Sequence, residues 1–244
     1  MEEIGGNEAT FCYFCTSNLE GVTMETIIRN IRSELRLSMN GVTATSMREK
    51  GVHYRMNFGV DLMRIGVIAS HYVPDAFLAE TLWNEDVREL KIIATLLYPV
   101  DRFTRDAADR WVEAINNQEI REQVCRNFFQ QLPFAGQLVN DWCGREEEQV
   151  RTTGYWLYAR LCITRAASLA EVESDKLLEH AAKDLKSESM LLRQASLNVL
   201  RYHGRLSASN REEVLQRVAG FNHTTDPFEQ EVFDQLCYEF GLVD

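Results

Sequence analysis

Two amphipathic helical patterns laid end to end between residues 57 and 98 constrain the fold of this chain more than any other segment. A short turn, Asn57-Phe58-Gly59-Val60, opens onto them, and the second reads Leu82-Trp83-Asn84-Glu85-Asp86-Val87-Arg88-Glu89-Leu90-Lys91-Ile92-Ile93-Ala94. Val87, Leu90, Ala94 and Leu97 fall at i, i+3, i+7 and i+10, which aligns them as one apolar seam of an α-helix, while Arg88, Glu89 and Lys91 point elsewhere. The segment reads as a helix-pair module.

The pattern recurs along the chain. Thr23 caps a helix running to about Met39, and the polar stretch from Asn40 to Asn57 reads as an ordered loop. Helical patterns follow at 61–73, 75–84, 85–98, 104–116, 118–131, 134–143, 146–163, 170–186, 189–203, 207–220 and 227–240. Thr104, Ser209 with Glu212 three residues on, and Asp226-Pro227-Phe228-Glu229 supply start signals. No run of alternating β-branched residues stands out, and the 13 glycines and 4 prolines are few. Pairs of about 30–40 residues without a strict consensus point to HEAT-type repeats. The expected fold is therefore all-α, a right-handed α-α superhelix whose concave face binds. It forms one domain over residues 23–244, preceded by an N-terminal extension over 1–22.

Composition bounds the rest. In 244 residues, 45% hydrophobic content is enough for a continuous core, and no apolar stretch approaches the roughly 20 residues that a membrane helix needs. Met1 to Ser17 holds acids and a Gly-Gly pair rather than a basic segment followed by an apolar one, so it does not read as a secretory signal. A cytoplasmic protein with no membrane partner is expected. Cys125, Cys143, Cys162 and Cys237 sit singly in helical patterns and read as reduced, packed thiols. Cys12-x-x-Cys15 has metal or redox spacing, but no second pair follows to complete a zinc site, so neither a metal nor a cofactor is expected. The five histidines are scattered and read as surface or helix-end residues, and Glu146-Glu147-Glu148 reads as a helix start. Phosphate-loop, dinucleotide, nucleophile-elbow and His-Glu-x-x-His motifs are all missing from the sequence.

Charge weighs against an extended nucleic-acid footprint. The net charge is −11, from 26 basic and 37 acidic residues. Between Thr26 and Tyr72, however, seven basic residues face three acidic ones, a local balance of +4, and the remainder carries −15. From Leu206 to Asp244 eight acids stand against Arg211 and Arg217 alone. Any DNA contact is thus expected toward the N-terminal half, with Arg48, Lys50, Arg55 and Arg64 as candidates.

The Phe58-Gly59-Val60 turn and the Leu82-Trp83 to Arg88-Glu89 helix resemble the early repeats of the bacterial DNA alkylation repair glycosylases built from HEAT-like repeats. Asp109-Arg110-Trp111-Val112 looks like the helix that follows, and Arg193-Gln194-Ala195-Ser196-Leu197-Asn198-Val199-Leu200-Arg201 like the late helix, so the resemblance spans about Asn57 to Arg201. It implies removal of cationic N-alkylated bases, with aromatic faces holding the lesion and a carboxylate stabilising the oxocarbenium sugar. The chain departs where that chemistry resides. The segment matched to the family's Trp-Asp pair reads Asn127-Phe128-Phe129-Gln130-Gln131-Leu132-Pro133-Phe134-Ala135, the late tryptophan is Asn198, and of the paired arginines only Arg151 stands, followed by Thr152. Phe128, Phe129 and Phe134 remain as concave-face aromatic candidates, Asp141 as a relocated acid and Arg151 as a DNA contact. Three readings stay open: a DNA-binding member with weak or no base excision, an active N-alkylpurine glycosylase using a rearranged acid, and a HEAT scaffold for a protein partner.

Overall fold

Short polar side chains set where the helices begin. The computed structural model describes residues 23–242, in which the chain forms α1 (Met24–Leu37), α2 (Gly41–Glu49), α3 (Leu62–Ala69), α4 (Ala76–Trp83), α5 (Arg88–Leu97), α6 (Arg105–Glu113) and α7 (Gln118–Asn127). It continues with α8 (Ala135–Cys143), α9 (Glu148–Thr164), α10 (Ser174–Asp184), α11 (Met190–Gly204), α12 (Ala208–Arg217) and α13 (Pro227–Glu239). Thr23, Asn40, Asp61, Asp75, Thr104, Asn117, Ser189, Ser207 and Asp226 each accept a first-turn backbone N–H, satisfying donors that the helix itself cannot. Strand pairing among the described residues is confined to a single parallel bridge, Met56 to Val87.

Two expectations need correcting. Residues 41–49 form helix α2 rather than a loop: only Ala44 of that helix is buried, so it carries no apolar period, and it is held instead by its Asn40 cap and by Asn40 N–H donating to Phe58 O at 2.9 Å. Helix α12 starts from Ser207, not Ser209, because the Ser207 hydroxyl oxygen receives Asn210 N–H.

The helices stack in pairs. The odd-numbered helices from α1 to α13 pack successively on one another, while between α4, α6 and α8 the even-numbered ones pack less closely. The odd row is thus the shorter, inner side of a curved α-α superhelix, with the even row outside. One hydrophobic cluster runs from Ile31 to Phe240, with Trp83 stacked on Trp111 at 4.1 Å in its middle. Side-chain rungs tie each repeat to the next. Arg88 donates to Glu119, Arg121 to Thr153 and Arg151 to Asp184, spanning 31, 32 and 33 residues.

The first rung rests on a buried charge cluster. Arg88, Glu89 and Lys91 leave the apolar seam of α5, yet they point into the interior: Arg88 is 1% and Glu89 0% exposed. Glu89 Oε2 accepts Phe58 N–H at 3.1 Å and its Oε1 accepts Val60 N–H at 3.2 Å, while Arg88 Nη1 donates to Val60 O at 2.8 Å. Burial alone would weaken the guanidinium's hold on its proton, but the hydrogen bonds and charges of Glu119 and Glu89 reverse this and raise the Arg88 pKa. Lys91 Nζ donates to Trp83 O at 2.6 Å, and burial lowers its pKa. Gly59 completes the turn at φ +68°, where a Cβ would stand 2.2 Å from Asn40 O, so only glycine fits. The turn and helix that carry the family resemblance therefore serve the fold.

Candidate nucleic-acid interface

Helix α9 shows which residues face the inside of the curve. Thr153 receives Arg121 of α7, Gly154 packs on Trp142 and Cys143 of α8, Tyr155 donates to Asp184 at the end of α10, and Tyr158 bonds His203 of α11. The helix is thus flanked on three sides. Trp156, Arg160 and Ile163 occupy the remaining face, and all three are at least partly exposed, whereas Gln149 near the start of the helix donates to Glu113 O at the end of α6 at 3.1 Å. On α7, Glu119 meets Arg88 of α5 and Arg121 meets α9, so Glu122 and Arg126 are left on the same inner side, both exposed. On α11, Tyr202 is half-buried under the Arg205 guanidinium, 5.4 Å from the ring centre.

Ion pairing divides the arginines into two groups. Arg32, Arg88, Arg105, Arg145, Arg151, Arg201, Arg205 and Arg217 each pair with a carboxylate. Arg126 and Arg160 form no ion pair with any described residue; Arg160 Nε donates to the neutral Gln130 Oε1 at 3.1 Å. Sequence reasoning missed Arg126, Trp156 and Arg160. Their only signal was i, i+4 spacing, Glu122 to Arg126 and Trp156 to Arg160, which in a single helix does not reveal which face is inner.

The predicted basic residues fall in two places. Arg48 and Lys50 close α2 and are exposed, as is Arg55, whose backbone N–H donates to Asp86 Oδ2 at 2.9 Å. Beside Arg55, the Tyr54 hydroxyl accepts from Asn117 at 2.8 Å, so this strip crosses the starts of α5 and α7. Arg64 is exposed on α3, with its Nε donating to Ser38 Oγ at 3.0 Å.

Arg151 lines a cleft of about 350 Å³ with Arg145, Glu146, His180, Lys183 and Asp184. Its Nε donates to Asp184 Oδ2 at 2.6 Å, and its Nη1 to the carbonyls of Arg145 and Glu146, six and five residues earlier. Arg193 on α11 grips the carbonyls of Ser187 and Glu188 at the same offsets. This arginine is a repeated fastener of the inter-helix turn. Arg151→Ala is expected to cost about 2 kcal/mol, as for hydrogen bonds to a charged group, and to lower Tm by about 4–8 °C in thermal unfolding. An unchanged Tm would free the side chain for phosphate.

Other candidates move. Phe128 and Phe129 are buried in the aromatic core around Phe103 and Trp142, because α7 ends at residue 127 and turns them inward; they offer no concave-face surface. Phe134 is partly buried against the same core. Asp141 stands exposed on α8, in the outer row, paired with Arg105, and so faces away from the inner surface. Asn198 is buried on α11. His203 is not a surface residue: it lies buried against Tyr158, and burial lowers its pKa. Burial pushes the thiols of Cys125 and Cys162 up to about 12, consistent with inert packing, whereas Cys12 and Cys15 lie outside the described residues. Among the described residues no group of three His, Cys, Asp or Glu is placed to hold a metal, and no helix is long and apolar enough to cross a membrane.

A family model described as DNA alkylation repair enzyme matches residues 31–226. No curated protein matches the chain. One similar solved structure is described as representing a new family of proteins related to the HEAT-like repeat DNA glycosylases with affinity for branched DNA structures. It is 15% identical, with 86% of this chain and 94% of that one covered at a TM-score of 0.70, a likeness of fold. A designed armadillo repeat protein is 9% identical over 90% of this chain and 95% of its own, at a TM-score of 0.41.

Proposed function

The chain belongs to the DNA alkylation repair enzyme family, and we propose that within it this protein binds DNA through its inner face, with weak or no base excision. The cations on the inner face and near the N-terminus that pair with no described carboxylate carry this reading. In a protein with 37 acids to 26 bases, eight arginines pair with carboxylates, while Arg126 and Arg160 on the inner face, and Arg48, Lys50, Arg55 and Arg64 near the N-terminus, form no ion pair with a described residue. Phosphate is the counter-ion such groups suit. Arg151, held by Asp184 and two carbonyls, lines the neighbouring cleft.

A mobility-shift titration at pH 7 tests this, using blunt duplex and the branched DNA for which the similar structure is described as having affinity. Binding at about 50 mM salt should weaken linearly in log–log form as salt rises, and Arg160→Ala should reduce that slope by about 0.9 on duplex, one phosphate contact. No binding at low salt would overturn the reading. It would leave a protein-binding scaffold, which one observation favours: Met63, Val73 and Phe77 near the N-terminal end are 85%, 81% and 70% exposed.

A further inference from the structure

We propose that Trp156 is a stacking platform for an unpaired nucleobase, with Arg126 and Arg160 holding the phosphates beside it. This rests on the DNA-binding reading above and names the form of DNA that the inner face takes.

Of the four tryptophans, Trp83, Trp111 and Trp142 are interior, and Trp156 alone is partly exposed. Its position on α9 is turned away from Gly154, which packs on the outer helix α8, so the indole stands on the inner face while part of it rests on the core. A large flat ring fixed by packing loses little freedom on binding. One turn on, Arg160 is anchored through Nε to Gln130, and its terminal amino groups form no ion pair with a described carboxylate. Ile163, 47% exposed, extends the apolar floor by another turn. From α7, Arg126 adds a second cation that pairs with no described carboxylate; the acid on that side is Glu122, which accepts from Gln118 at 2.8 Å.

An aromatic face flanked by cations is the arrangement that binds single strands: each base offers a π-face, and the backbone supplies anions. Bases inside a duplex are covered on both faces by their neighbours. The ligand is therefore DNA with unpaired nucleotides, such as a single strand, a gap or the open centre of a junction, with little dependence on base identity.

The geometry also supplies the readout. Because the other three indoles are interior, DNA stacked on Trp156 should quench the exposed part of the tryptophan emission. Oligo-dT, a gapped duplex and a blunt duplex are titrated into the wild-type protein and into Trp156→Ala and Trp156→Phe, with affinities taken from labelled-DNA anisotropy. Trp156→Ala should weaken the single-stranded and gapped probes about tenfold, the loss of roughly one stacked base, and leave the blunt duplex within about twofold. Trp156→Phe should keep most of the affinity while abolishing the quenching. Equal losses on all three probes, or none on any, would overturn the inference. If the wild-type protein binds no DNA, the broader reading falls with it; if it binds DNA but Trp156→Ala changes nothing, only this inference falls.

Discussion

Glu89→Ala should lower the stability of the folded chain by about 4 kcal/mol, the scale for removing one member of a buried ion pair. Glu89 is fully buried and performs three tasks: it receives the amides of Phe58 and Val60, and it balances Arg88 Nη1 at 2.9 Å. Alanine would leave two buried N–H groups without an acceptor and a guanidinium with Glu119 as its one carboxylate partner, itself about a fifth exposed. For a chain of this size the loss corresponds to a Tm lower by about 8–16 °C, read by circular dichroism. Glu89→Gln keeps one carbonyl oxygen for an amide and should fall in between. A Glu89→Ala protein melting within about 3 °C of the parent would mean that the turn does not depend on this carboxylate.

The second large effect is an absence of catalysis. On DNA carrying 3-methyladenine or 7-methylguanine, base release should be about two to three orders of magnitude slower than with a preorganised carboxylate in place. A carboxylate stabilises an oxocarbenium sugar strongly only where water is excluded and the group is fixed. Asp141 is exposed in the outer row and bound to Arg105, and Glu122, the acid on the inner face, is exposed as well. The lesion would also need aromatic walls on both sides, yet Trp83 and Trp111 are stacked on each other in the core and position 198 is an asparagine, which leaves Trp156 as a single face. Rapid release of either base, abolished by Glu122→Gln or Asp141→Asn with the fold intact, would show that one of these acids is the catalytic group.

Much of the architecture was legible because a helix that must bury one stripe writes a 3.6-residue period into the chain, as α1 and α6 do, and because Thr104 and Asp226 mark starts by local chemistry alone. Helix α2 was not legible, since with one buried residue it has no stripe to write. The site was harder to read for a related reason. Phe128 and Phe129 read equally as core or as binding surface until the end of α7 is known, and Arg126 and Arg160 look like any solvated arginine until the stack shows which acids are out of reach. Arg88 and Glu89 misled in the opposite sense: charge in a helix usually marks solvent, and here it marks a turn sealed from within.

The rungs that tie Arg88 to Glu119, Arg121 to Thr153 and Arg151 to Asp184 give the molecule the mechanics of a spring. Each joins only adjacent coils, so the pitch and bend of the inner face are a running total of small local angles, with no brace across the two ends among the described residues. DNA bound along the inner face as proposed would load every rung a little, and a ligand of another curvature would have to flex them all. Slackening one rung would therefore act at a distance, changing which curvature of ligand the whole face prefers while leaving its lining residues untouched.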